Sequence, residues 1–360
     1  MKNHNSRIAL HGMYHSINFG DVVYGRAYCD WVEKLLPGAN VVFPWAARAV
    51  LEDIFYDNKQ RATMKILPGF SNVIYTGGHY LNDGGTFRGA LSRFRHILAP
   101  GLFCWVRGVP YSIIGAGAGP IDTNFGRIFN RFFVNKADFV AVRDKVSLDV
   151  LGAIGCCRPI YLTSDAVITY VRELIPTQST PLRRNKRLAL HISNVDEELI
   201  TAINLYLRNF EKDYEEVVFL MDKPQKYNVG HTSVFSIPTS IRKIEVPYQN
   251  HYKMIEMINE CDDIISTKLH VAVAGVARGK RVFSYAFNYQ KVSRFFQSIG
   301  GLNRCLNAGQ FPVSRVYDAL ADAFQSEPIV LGKDILVAAS KNKEYLTTCV
   351  QIAPGFSQSL

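Results

Sequence analysis

The chain has 360 residues, 48% of them hydrophobic and 20% charged, which excludes a disordered or fibrous protein and suffices for two domains of ordinary size. Its net charge of +10 is spread over both halves without a basic tail, so anionic ligands or surfaces are favoured, with nucleic acid, phosphorylated metabolites and lipid headgroups all admissible. Seven scattered cysteines without a CxxC pair suggest neither a disulfide framework nor a zinc site, and point to a reducing compartment.

The N-terminal stretch MKNHNSRIALHGM has no apolar core of signal length, and the most apolar region, 97 to 119, is broken by Pro100, Arg107 and Pro110. A cytoplasmic protein that does not span a membrane is expected. Short runs rich in Val and Ile alternate with helical patterns: RIALHG, NVVFP, NVIYTGG, YSIIGAGAG and FVAVRD, then RLALHIS, EVVFLMD, IRKIEVP, DDIIST and RVFSYAF. This alternation predicts an α/β fold with mostly parallel, buried strands. Many of the runs end in Gly, Asp, Ser or His, and ligands of open α/β sheets gather outside the carboxyl ends of strands.

The first run is followed by GMYHSINFGD, Gly12 to Asp21, a glycine-containing turn before a helical pattern. Its backbone N–H groups could approach an anion or a hydroxyl-rich ligand, or Asn18 and Asp21 could simply cap the helix. In YTGGHYLNDGG the doubled glycine precedes His79 and Asp83, which fit either a polar cleft or a tight turn. The alternating glycines of IIGAGAGPID mark a place without room for a Cβ, whether a ligand or another backbone fills it. Arg143 and Asp144 end the fifth run, where the arginine suits a bidentate clamp on phosphate or carboxylate and Asp144 suits a helix cap.

Between 175 and 186, IPTQSTPLRRNK interrupts the pattern and reads as an interdomain linker. The expected organisation is a Rossmann-like domain over 1–178, a second over 179–345 and a tail over 346–360. In the second half, STKLHVAVAG places Lys268 and His270 in the first turn of a helix of small residues. Unpaired amides and the helix dipole favour an anion there, so two cationic side chains make sense if an anion sits between them and the helix. A histidine packed in the interior is the alternative.

Taken in order, these segments resemble the polysaccharide pyruvyl transferase family, whose members move the enolpyruvyl unit of phosphoenolpyruvate onto a sugar as a ketal. The resemblance rests on Gly12 with Asn18-Phe19-Gly20-Asp21, Gly77-Gly78 with Asp83, and Gly115 to Pro120. It continues through Arg143-Asp144 with Ser147 and Leu151, Ser164-Asp165-Ala166, and Lys268-Leu269-His270 followed by Tyr289 and Lys291. The family usually carries Arg-x-His where this chain has Lys268-Leu269-His270; lysine keeps the charge and loses the bidentate fork.

The resemblance implies a GT-B-like arrangement of two Rossmann-like domains around a central cleft. Phosphoenolpyruvate would be a co-substrate, with no cofactor and no metal. Arg143, Lys268, Leu269 and His270 would bind the donor, Asn18, Asp21, His79 and Asp83 the acceptor, and His270 and Asp21 would exchange protons. The acceptor would be a sugar of a surface polysaccharide such as a capsule or exopolysaccharide, carried as a nucleotide sugar, a lipid-linked oligosaccharide or the polymer. Peripheral association with the inner face of the membrane is compatible with this reading, and the sequence leaves the oligomeric state open. One rival is a GT-B glycosyltransferase with a nucleotide-sugar donor. A non-enzymatic polyanion-binding α/β protein is another, although the sequence lacks any helix-turn-helix, zinc-finger or RNP signature, so no nucleic acid is expected as partner.

Overall fold

The computed structural model describes residues 7–15, 17–58, 69–175, 186–222 and 232–351. Two compact units divide the chain: residues 1–166 with 336–360, and residues 167–335. This differs from the expected limits at 178 and 345. The helix Ala166–Leu174 ends just before the pattern lapses, and its Arg172 donates to the Ala277 carbonyl at 3.4 Å while Arg278 donates to the Ile175 carbonyl at 2.6 Å. Most of that helix therefore groups with the second unit, and the expected linker lies almost wholly outside the described residues.

The first unit holds strands β1 (Arg7–His11), β2 (Asn40–Val42), β3 (Asn72–Tyr75), β4 (Gly78–Leu81), β5 (Tyr111–Ala118), β6 (Phe139–Val142) and β7 (Tyr161–Leu162). They form one parallel sheet in the order β2-β1-β3-β5-β6-β7, with β4 paired to β5. β5 is buried along its whole length, as its unbroken apolar and small residues require in a sheet covered on both faces. The chain runs from β1 outward to β2 and then crosses to β3 on the other side of β1. That places the sheet's reversal point at the carboxyl ends of β1 and β3, where His11 and Tyr75 are register partners.

The helix Lys333–Gln351 returns from the second unit to close the first from residue 336 on. Its buried Asn342 donates to the Ser164 carbonyl at 2.8 Å and accepts from the Tyr28 hydroxyl at 3.2 Å, and Asn72 donates to the Cys349 carbonyl at 2.7 Å. The expected C-terminal tail is thus part of the first unit through Gln351, and residues 352–360 lie outside the described residues.

The second unit holds β8 (Lys186–His191), β9 (Tyr214–Leu220), β10 (Arg242–Val246), β11 (Asp263–Ser266), β12 (Arg281–Ala286) and β13 (Cys305–Asn307), again all parallel, in the order β10-β9-β8-β11-β12-β13. Here the strand order reverses between β8 and β11. Their last residues, His191 and Ser266, are register partners. Every segment read as a strand in the sequence contains one; β4, β7 and β13 are additional and short, at two to four residues. Among the described residues no helix is long and apolar enough to cross a membrane.

Candidate functional site

The carboxyl ends of β8, β9 and β11 converge at the reversal point of the second sheet. Lys268 is the N-cap residue of the helix Leu269–Ala277, and no side chain caps that helix. Six helices are capped by Asn18, Thr86, Thr123, Asp144, Asp196 and Asn250, each accepting from an amide of the first turn, whereas this one shares its lack of a side-chain cap with the helices Arg48–Ile54, Ala99–Val106, Tyr289–Ser298 and Val313–Gln325. The positive end of the Leu269–Ala277 helix dipole thus lies at Lys268 with no capping side chain over it. Half-buried His270 occupies the same first turn, and Leu269 is buried.

Lys268 Nζ lies 2.5 Å from Oδ2 of Asp222, which is 4% exposed and sits two residues beyond β9. The other carboxylate oxygen is 3.5 Å from His191 Nε2, and His191 Nδ1 is 3.1 Å from Ser266 Oγ. Ser266 Oγ in turn donates to the Lys268 carbonyl at 2.9 Å and accepts from the Lys268 amide at 3.1 Å, which fixes the turn between strand and helix. Thr267 Oγ1 accepts from the Ser193 amide at 2.9 Å and ties β8 to the same turn. Burial alone would push the Asp222 carboxyl up, but His191 and Lys268 outweigh it and hold it well below the usual carboxylate range.

An anion was expected beside Lys268, and one is present in the chain itself. Asp222 and His191 were not singled out as site residues in the sequence. Their signal was the strand endings EVVFLMD and RLALHIS, which became informative only when the sheet order set those ends next to Lys268.

In the first unit, Arg143 is buried at the end of β6. Its guanidinium lies 3.7 Å from Asp144 and 3.6 Å from Asp165, and donates to the Tyr24 hydroxyl at 3.4 Å. These contacts account for a buried arginine with the chain's own groups. A Cβ on Gly117 would stand 2.6 Å from His79 Nδ1 and 3.1 Å from Arg143 Nε, so this glycine lets the two side chains share its strand end. His79 Nε2 is hydrogen-bonded to the Gly119 carbonyl.

Asp83, expected on the acceptor side, is held by backbone amides. Its carboxylate accepts from the Gly85 amide at 2.9 Å and the Thr123 amide at 2.6 Å, and the residue is fully buried. Burial pushes its carboxyl up, yet these backbone donors prevail and hold it below the usual range. Asp83 organises two loops. Asn18 caps the helix Phe19–Leu35 by accepting from the Gly20 amide at 3.2 Å, while buried Asp21 lies in the first turn of the same helix. Gly77 is explained by packing, since a Cβ there would stand 2.2 Å from the Tyr24 ring. All seven cysteines are free thiols, and among the described residues no cluster of His, Cys, Asp and Glu could hold a metal ion.

The sequence matches the family model for polysaccharide pyruvyl transferase over residues 18–289. The chain belongs to the polysaccharide pyruvyl transferase family. No curated protein matches it in sequence. Its two-unit α/β fold is GT-B-like, as solved structures of low identity show. UDP-GlcNAc 2-epimerase from Neisseria meningitidis bound to UDP-GlcNAc superposes with a TM-score of 0.62 at 9% identity, covering 96% of this chain and 99% of that one. The S. aureus MnaA–UDP structure gives 0.62 at 11% identity over 98% and 97%. MurG from Acinetobacter baumannii gives 0.51 at 11% over 96% and 99%. At such identities the likeness concerns the fold alone; the family membership rests on the sequence match. Within this pyruvyl transferase, the matched span includes Lys268 and His270 together with Asp222, which pairs with Lys268, and His191, which faces Asp222.

Proposed function

We propose that the protein transfers pyruvate from phosphoenolpyruvate to two hydroxyls of a sugar in a surface polysaccharide or its precursor, forming a cyclic ketal and releasing phosphate. The observation that carries the donor assignment is the uncapped helix Leu269–Ala277, which starts at the reversal point of the second sheet with Lys268 and His270 on its first turn. The positive dipole end of that helix suits a phosphate or carboxylate. Lys268 adds a charge, and although one of its three ammonium protons is committed to Asp222, the side chain is 28% exposed and has two others to offer.

The chemistry has three needs: anion binding, a proton for the methylene carbon of the donor, and acceptance of a proton from each attacking hydroxyl. Protonation at the methylene leaves the adjacent carbon oxocarbenium-like. A first sugar hydroxyl adds to it and loses its proton, phosphate departs with the C–O electron pair, and a second hydroxyl of the same sugar closes the ring with loss of its own proton. Histidine has an ordinary pKa near neutrality, so His270 is the group assigned to deliver the first proton. Asp21, buried in the first turn of its helix in the first unit, is assigned to the acceptor hydroxyls, with His79 as a further acceptor-side group. Arg143 is accounted for by Tyr24, Asp144 and Asp165, and the donor role expected for it is not part of this reading.

The rival donor is a nucleotide sugar, since the N. meningitidis epimerase of similar fold was solved with UDP-GlcNAc. Family membership favours phosphoenolpyruvate. Replacing Lys268 by methionine removes a charge-assisted contact of about 1.5–3 kcal/mol, so calorimetric affinity for phosphoenolpyruvate should fall about 10- to 150-fold. An unchanged affinity would remove Lys268 from the donor site.

A further inference from the structure

The helices on one face of the first sheet carry apolar side chains that the chain does not cover. Phe103 is 58% exposed, Val106 74% and Trp105 38% on the helix Ala99–Val106, and Ile128 is 54% and Phe132 42% exposed on the helix Asn124–Lys136. The two helices are continuous at this surface, because Trp105 meets Phe132 edge-on with ring centroids 6.0 Å apart. Their inward residues, Gly101, Cys104, Phe133 and Val134, are buried, so the outward aromatics are additional to the core and not a displaced part of it. Phe87, 60% exposed, extends the surface through an edge contact with Phe125 at 5.2 Å.

The charge around these rings has one sign. Residues 87 to 136 contain seven Lys and Arg side chains (88, 93, 95, 107, 127, 131 and 136) against a single acid, Asp122. Two of the cations lie directly on the apolar surface. The Arg107 guanidinium is 4.9 Å from the Phe103 ring centroid, and Lys136 Nζ is 4.9 Å from the Trp105 ring and 5.6 Å from the Phe132 ring. Charged heads seated over exposed aromatic rings hold cations within the apolar surface itself, and a face that pairs apolar aromatics with Lys and Arg is the composition of an interfacial membrane-binding surface. A contiguous exposed apolar patch of this kind marks an interaction surface, and its basic rim complements anionic headgroups.

We propose that this face of the first unit docks on an anionic phospholipid bilayer, with Phe103, Trp105, Val106 and Phe132 entering the interface and Arg107, Lys136 and neighbouring arginines meeting the headgroups. The inference does not depend on the donor assignment.

The test is co-sedimentation of the full chain with vesicles of phosphatidylcholine alone or mixed with phosphatidylglycerol. Binding to the mixed vesicles is expected, weakening as salt rises, with little binding to phosphatidylcholine. Charge reversal of two rim residues, Arg107→Glu with Lys136→Glu, should lower partitioning at least about tenfold, at about 1 kcal/mol for each lost basic contact. The exposed pair Phe103→Asp with Val106→Asp should lower it comparably while phosphoenolpyruvate binding and the far-ultraviolet circular dichroism stay unchanged. Trp105 emission should shift to the blue on binding, and Trp105→Phe should remove that shift. Absence of binding to anionic vesicles would overturn the proposal. So would binding that both double variants retain, or concentration-dependent self-association in solution that the Phe103→Asp, Val106→Asp pair abolishes, which would assign the face to a second copy of the chain.

Discussion

Replacing His270 by alanine should lower the turnover of pyruvyl transfer by about 10²- to 10⁴-fold, the range for loss of a positioned proton donor, and leave the fold intact. The expectation follows from place and type. His270 lies in the first turn of the helix that follows β11 at the second sheet's reversal point, half-buried, and it is not needed to fill the core that Leu269, Val271 and Ala272 already build. Circular dichroism and the unfolding midpoint should match the wild type. With the amides and Lys268 still present, affinity for phosphoenolpyruvate should change far less than kcat. Turnover near the wild-type rate would remove His270 from the chemistry; a collapse of stability would make it a packing residue.

The largest effect on stability should come from Asp222→Ala. Removing the Asp222 carboxylate breaks its charge-assisted contact to the partly exposed Lys268 ammonium, at a cost of about 1.5–3 kcal/mol. Lys268 Nζ and His191 Nε2 both face the Asp222 carboxylate, so the substitution strips two groups at once. Urea unfolding should show the loss, and Asp222→Asn, which keeps the shape, should lose less. The carboxyl is held below its ordinary value of about 3.9, so its stabilising contribution is complete above that pH and fades as pH falls through the lower folded-state value. Acid titration of stability should therefore be steeper in the wild type than in Asp222→Asn. Equal slopes would mean that the pair contributes nothing to the folded state.

The local signals in the sequence located the strands and the two ends of the site's helix, because parallel buried strands are written as unbroken apolar runs and are followed by polar turns. Lys268 and His270 were legible for that reason. Asp222 and His191 were only strand endings among many, since nothing local says that β8 lies between β9 and β11; that neighbourhood follows from sheet order.

The glycines were legible as positions without room for a Cβ, but not as to what fills the room. Gly77 yields to Tyr24, and Gly115, with φ of +70°, yields to Asn342, more than two hundred residues later in the chain. Asp83 and its glycines fitted either a polar cleft or a tight turn, and its hydrogen bonds to the Gly85 and Thr123 amides make it a loop brace, a role that local sequence does not specify. The linker signal at 175–186 marked a lapse in pattern and not the unit boundary, because helices sort by what they pack on and not by where the composition changes.

The most direct test is thermal unfolding of the protein with phosphoenolpyruvate and, separately, with nucleotide sugars. A ligand that binds only the folded state raises stability by RT ln(1 + [L]/Kd), about 2.7 kcal/mol at a hundredfold excess over Kd. The melting temperature should rise with phosphoenolpyruvate, and the rise should shrink in Lys268→Met. A rise with a nucleotide sugar and none with phosphoenolpyruvate would contradict pyruvyl transfer from that donor.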